Sequence, residues 1–236
     1  MFPRPKTPLR LTAALTCAAL ALLLPLGTST AEELSRELPR ARDYTKALRK
    51  VMASYPTDGQ HRYYWPRKGG WKGTTKDLVY QGSTVAKGDP EGRCFCCGLT
   101  FEVFFLAWQQ WAETKRKPFQ IGDLDAKGVK KLISEWFGSN GDRRCLQSAV
   151  KAHRLGRVID QPKGARPGDF VQFWRHSGSG HSVVFLGWEK DKRGRITALR
   201  YWSTQGSTKG IGINTERVGP KGIKLEEVYI ARIGRN

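Results

Sequence analysis

The sequence predicts an α+β domain, on three observations. A largely apolar stretch, GLTFEVFFLAWQQWAETK, sits near the middle of the chain. Helical periodicity continues to about residue 155. After Gly156 the period changes to the alternation of strands, and about five such runs follow. Helices first and an antiparallel sheet afterwards is the α+β pattern.

The elements follow in order. The N-terminus, MFPRPKTPLRLTAALTCAALALLLPLGTSTAEE, has Arg4, Lys6 and Arg10 ahead of an apolar run from Leu11 to Leu26. Ser29-Thr30-Ala31 supplies small residues for cleavage, so residues 1–31 read as a secretory signal peptide. A secreted or periplasmic protein is expected, with no stable membrane span after processing; the run is short against the roughly 20 residues of a span. Cys17 lies inside this run in a poor context for lipidation.

Residues 32–53 have helical spacing with many charges, which reads as a surface helix and not a core element. Residues 54–93 form a glycine-punctuated, aromatic and basic loop, and long loops in compact domains are more often functional than idle. Residues 32–79 are therefore a lead-in and 80–236 the main domain.

Leu99, Val103, Leu106 and Trp108 to Trp111 leave almost no polar face, which predicts a buried central helix ending at Lys117-Pro118. Asp123 to Gly138 and Arg143 to Leu155 are two further amphipathic helices. Residues 169–174, 181–188, 196–202 and 225–233 read as strands, with 210–218 as a fifth and Lys192-Arg193-Gly194 as a hairpin turn.

Lys and Arg number 41 against 21 Asp and Glu, a formal charge of +20. Such a chain is drawn to polyanions: wall polymers, anionic lipid headgroups or stray nucleic acid. No nucleic-acid-binding motif is present, so no specific nucleic-acid partner is expected.

The chemistry concentrates in RCFCCGLTF, residues 93–101. A zinc site would need adjacent Cys96 and Cys97 to point at one tetrahedral centre, so no metal is expected. A nucleophile fits better. A helix N-terminus favours thiolate, and its free N–H groups suit an oxyanion. The base must then be one of His61, His153, His176 or His181. His181 opens a strand with Gly178 and Gly180 beside it; His176 is the reserve, and His153 reads as solvated on a charged helix. Trp65, Trp71 and Trp202, with Tyr63 and Tyr64, can stack on sugar rings among the cations. A competing reading is a non-catalytic wall- or glycan-binding protein with structural cysteines.

Cys96-Cys97-Gly98-Leu99-Thr100 resembles the Cys-Ser-Gly-Leu/Phe-Val/Thr motif of the NlpC/P60 cell-wall cysteine peptidases. Residues 166–173, RPGDFVQF, resemble that family's Pro-Gly-Asp-Leu-Val-Phe-Phe strand. Residues 180–187, GHSVVFLG, resemble its Gly-His-Val-Gly-Ile-Tyr-Leu-Gly strand, and the related CHAP amidases share the order. The matches cover roughly residues 80–205. The resemblance implies a papain-like domain with Cys96 as nucleophile and His181 as base. It implies Tyr80 as an oxyanion donor and Gln205, or else Ser203, as the residue orienting the histidine. Phe95 and Cys97 depart from the family's aspartate and serine, and Cys97 as nucleophile is the alternative register. Cys94 and Cys145 can pair as a disulfide, as can Cys97 and Cys145. The implied activity is hydrolysis of a peptidoglycan amide by a monomer without a cofactor. Its partners are muropeptides or other anionic wall polymers.

Overall fold

The structure, a computed structural model, describes residues 30–38, 43–66 and 73–234. Helices α1 (Thr30–Glu37) and α2 (Asp43–Ala53) precede a hairpin of β1 (Leu78–Tyr80) and β2 (Ser83–Ala86). Three helices follow: α3 (Cys96–Thr114), α4 (Ala126–Trp136) and α5 (Cys145–Ala152). The rest is β3 (Gly156–Ile159), β4 (Phe170–Arg175), β5 (Gly180–Lys190), β6 (Ile196–Gln205), β7 (Gly210–Arg217) and β8 (Ile223–Ile233). These last six form one antiparallel sheet in the order β3-β8-β4-β5-β6-β7, so the protein is α+β.

The sheet has six strands where the sequence predicts five. The addition is β3, paired with β8 at one edge from Gly156↔Ile233 to Ile159↔Ile230. Its four residues, GRVI, follow α5 after a three-residue link and are too few to show an alternation. The predicted leader lies outside the described residues except for Thr30 and Ala31, which open α1. Among the described residues, no helix is long and apolar enough to cross a membrane.

Alternation along the strands sorts side chains onto two faces. Phe170, Val184, Leu186, Trp202 and Ala231 join the core that α3 fills. Their neighbours Val171, Phe173, Val183, Phe185, Tyr201 and Ile230 form a second cluster on the opposite face.

Helices α1 and α2 correct the reading of residues 32–53 as a surface element. Leu34, Leu38, Tyr44, Leu48 and Met52 are all buried, and the Tyr44 hydroxyl donates to the Phe104 carbonyl of α3 at 3.3 Å. A helix apolar on almost every side must be covered on every side, and the sheet reaches only one. Arg200 of β6 ties α1 down through Glu33 and Glu37, at 2.5 and 2.8 Å.

The glycine-rich loop is pinned to α3 by two devices. Gly98, in the first turn, meets the backbone of Gly73; a Cβ on Gly98 would stand 2.2 Å from the Gly73 oxygen. One turn on, the fully buried Glu102 accepts from the Tyr55 hydroxyl, the Thr75 hydroxyl and the Thr75 N–H, each at 2.6 Å. Burial raises the Glu102 pKa, and the donors from Thr75 and Tyr55 oppose the rise. At the start of β4, buried Asp169 takes both guanidinium donors of Arg232 at 2.7 Å and fastens β4 to β8. Replacing Glu102 by Leu leaves the Tyr55 and Thr75 donors unpaired in the core. The expected loss is about 3 kcal/mol, read as a lower urea midpoint at unchanged slope.

Candidate active site

Cys96 is the first residue of α3, and its side chain is buried. Phe95 caps the helix with extended backbone and no side-chain hydrogen bond, and no acid stands in the first turn. The positive end of the helix therefore acts on Cys96 without competition from a carboxylate. The Thr100 hydroxyl lies 2.9 Å from the Ser182 hydroxyl, which clamps this turn to β5 one residue beyond His181.

His181 faces the second side of the sheet, between the rings of Phe173 and Tyr201 with centroids 5.6 and 5.5 Å away. Its Nε2 lies 2.9 Å from the Gln205 Oε1. A carbonyl oxygen only accepts, so Nε2 carries the proton and Nδ1 is the nitrogen left for the thiol. Tyr201 donates to the same Gln205 oxygen at 2.9 Å and itself accepts from Asn214 at 3.0 Å. Glu216 lies 3.2 Å from that hydroxyl and is held by both donors of Arg175. The result is a chain of contacts from Arg175 through Glu216, Tyr201 and Gln205 to the imidazole.

The Cys96 pKa is held well below the ordinary thiol range. The main cause is the Cys97 S–H, which donates to the Cys96 sulfur; the His181 charge and hydrogen bond and the Ser182 N–H add to it, against burial. Cys97 moves the other way: burial and donation to the Cys96 thiolate keep it protonated. Burial also pushes Cys94 to about 12 and Cys145 to about 11.

Two sequence-based assignments are corrected. Tyr80 is not an oxyanion donor: its hydroxyl donates to the Leu124 carbonyl at 2.9 Å and accepts from the Ile121 N–H at 3.1 Å. It packs on Phe105 and Phe119, more than two turns along α3 from Cys96. Trp202 cannot touch a substrate, because it is 0 % exposed on the helix side of β6 with its edge against Tyr55.

The Cys94–Cys145 disulfide does not form, nor does Cys97–Cys145: Cys94, Cys96, Cys97 and Cys145 are all free. Cys94 sits within reach of Thr204 and Glu102. Cys145 instead donates its S–H to the Trp136 carbonyl at 3.3 Å, at the end of α4.

The remaining candidates take definite places. Ser203 donates to the Ser182 carbonyl at 2.8 Å, so it is tied to β5. His153, which the sequence puts in solvent, is partly buried against Glu135 at 2.5 Å. His61 bonds the Gly92 carbonyl at 2.7 Å, and His176 is exposed in the β4–β5 turn. Trp65 is 54 % exposed, its ring 4.5 Å from that of Phe95, the residue before Cys96. Trp71 lies outside the described residues. Among the described residues, no three His, Cys, Asp or Glu side chains are grouped to hold a metal ion.

The sequence marks Tyr63 only as a stacking ring and does not place it near Cys96. It runs beside the segment that leads into α3, bridged to Cys94, and is 38 % exposed. Partial burial, then the nearby Cys96 and Cys97, push its pKa up to about 12 despite Arg175. Its hydroxyl is therefore a proton donor at neutral pH. The only signal in the sequence is its place in HRYYWP, a run shared by three aromatic residues.

Comparison of the chain with protein-family models, with curated proteins and with solved structures gives no match.

Alkylation by iodoacetamide tests the thiolate. Cys96 should react at a constant rate down to a pH well under the usual thiol range of about 8–9, and slow only below its own pKa. His181→Ala and Cys97→Ala should each move that inflection upward, because each removes a group that stabilises the anion. Peptide mapping should find Cys94, Cys97 and Cys145 unmodified in the native protein.

Proposed function

We propose that this chain is a secreted cysteine hydrolase that cleaves an amide bond of peptidoglycan, within the stem peptide or at its junction with the sugar. One observation carries the proposal: a thiol at the first position of a buried helix, facing an imidazole whose far nitrogen is held by a side-chain carbonyl. The helix-borne cysteine and strand-borne histidine are those of a papain-like site. Nothing else among the described residues combines a depressed thiol with a base.

In this mechanism His181 takes the Cys96 thiol proton, the thiolate attacks the substrate carbonyl carbon, and the carbonyl oxygen becomes an oxyanion. The Cys96 N–H at the helix terminus and the Tyr63 hydroxyl donate to it. Collapse of the tetrahedral intermediate breaks the C–N bond. The protonated His181 delivers its proton to the departing amine, leaving a thioester. His181 then takes a proton from water, which attacks the thioester and releases the acid. Gln205 holds the ring with Nδ1 toward sulfur through both steps. Tyr63, Tyr64 and Trp65 form the exposed aromatic rim on which the substrate's apolar surface rests.

The test is a digest of purified cell wall and defined muropeptides, read by mass spectrometry. Cys96→Ala and His181→Ala should release nothing, while Cys97→Ser, which keeps a donor beside Cys96, should still cleave. Gln205→Ala should lower kcat on the order of 10²-fold by freeing the ring, and Tyr63→Phe by a similar factor through loss of one oxyanion donor. Undiminished cleavage by Cys96→Ala ends the hydrolase reading, and the product masses name the bond.

A further inference from the structure

The far end of α3 carries a second feature that the hydrolase chemistry does not use. Trp108 is twelve residues from Cys96, about 18 Å along the helix. There, Trp108, Trp111, Ala112 and Pro118 floor a groove of about 710 Å³, rimmed by Lys115, Lys117 and Arg154. A second groove, of about 610 Å³, runs along the outer side of α5 and β3 and is lined by Arg144, Lys151, Arg154 and Arg157. Arg154 lines both, so the two grooves adjoin at this residue.

Each groove holds one carboxylate among its cations, Asp123 in the first and Asp160 in the second. Among the described residues, no carboxylate lies within ion-pair distance of Lys151, Arg154 or Arg157. Helix dipoles account for Lys115 after α3 and Lys151 in the last turn of α5. They do not account for Arg157, which stands on a strand. Nor do they account for an arginine at position 154, where φ is +53° and glycine is the favoured residue. The backbone there is held in a strained conformation with a guanidinium at the junction of the grooves.

We propose that the two grooves form one binding site for an acidic glycan. Sugar rings lie on the part-exposed indole of Trp111, and the chain's anionic groups meet Lys117, Arg154, Lys151 and Arg157. A single-stranded nucleic acid fits less well, because its bases need a stacking ring at successive steps. The second groove has cations but no aromatic lining.

The site is separate from Cys96, so the test uses the full chain carrying Cys96→Ser and does not depend on hydrolysis. Binding is measured to polygalacturonate, to uncharged dextran and to oligothymidylate, at about 0.15 M salt. The groove variant is Lys151→Gln, Arg154→Gly and Arg157→Gln; glycine at 154 suits the backbone and preserves the fold. A charge-matched control replaces the exposed Lys127, Lys130 and Lys190 by Gln. The expected result is binding to polygalacturonate but not dextran, weakened about tenfold by the groove variant and less than about twofold by the control. Trp111→Ala, checked for native circular dichroism, should also weaken it. Equal losses for the two triple variants would reduce the effect to bulk charge and overturn the site. Oligothymidylate bound as tightly, with the same sensitivity, would overturn the glycan assignment, as would no retention on polygalacturonate.

Discussion

Helix α3 has to be enclosed on every side, and most of the architecture answers that constraint. Its residues from Cys96 to Phe105 are buried without a gap. The sheet covers one side through Val184, Leu186 and Trp202. The others are closed by α2, by Trp136 of α4 stacked on Phe104 at 5.0 Å, and by the loop through Gly73 and Thr75. Enclosure this complete leaves few polar groups inside α3, and three of them have definite places. Glu102 holds the loop, Thr100 holds β5, and Cys96 is left at the one end where the helix's own N–H groups are free. The candidate site is thus where the packing constraint stops, which gives Cys96 rigid support without backbone strain of its own.

The three clustered cysteines show how far position alone separates identical side chains. Cys94 precedes the helix and is buried beside the Glu102 carboxylate, so its thiol stays protonated. Cys97 is one residue further into the helix and buried as deeply, and it becomes a donor. Only at Cys96 do an S–H, an imidazole and a strand N–H converge on one sulfur. A serine at position 97 can donate to Cys96 in the same way, exchanging sulfur for oxygen and keeping the hydrogen bond.

The order of helices and strands was legible because it rests on apolar periodicity, and burial enforces that periodicity. Gln205 was also legible. It lies on the strand that returns antiparallel to β5, where a partner for the His181 ring has to stand. Trp202 could have been excluded by the same logic. It is three residues before Gln205, an odd step, and an odd step on a strand changes face. Tyr80 and Tyr63 could not be told apart by counting back from Cys96. The loop from residue 73 to Cys96 is held by Gly73 against Gly98, and that contact joins residues with no local signature. The surroundings of Cys145 were equally hidden, since pairing is not encoded in cysteine spacing.

Composition sets the size of the excess positive charge, and the fold sets where the acids stand. Many of the acids are tied up in pairs inside the fold. Asp169 holds Arg232, Glu216 holds Arg175, Asp89 holds Arg93, and Glu33 with Glu37 holds Arg200. Glu102 is fully buried with hydroxyl and amide partners, and Glu227 answers both Arg143 and Lys224. These pairs join β4 to β7 and β8, and α1 to β6, so the carboxylates serve as fasteners between elements. What remains for solvent is mostly Lys and Arg. The outward field is therefore positive and screened by salt over about 10 Å at 0.1 M. A polyanionic surface would draw the protein in from any direction. In the proposed glycan site, the grooves at the far end of α3 would set how such a polymer is held, about 18 Å along the helix from Cys96.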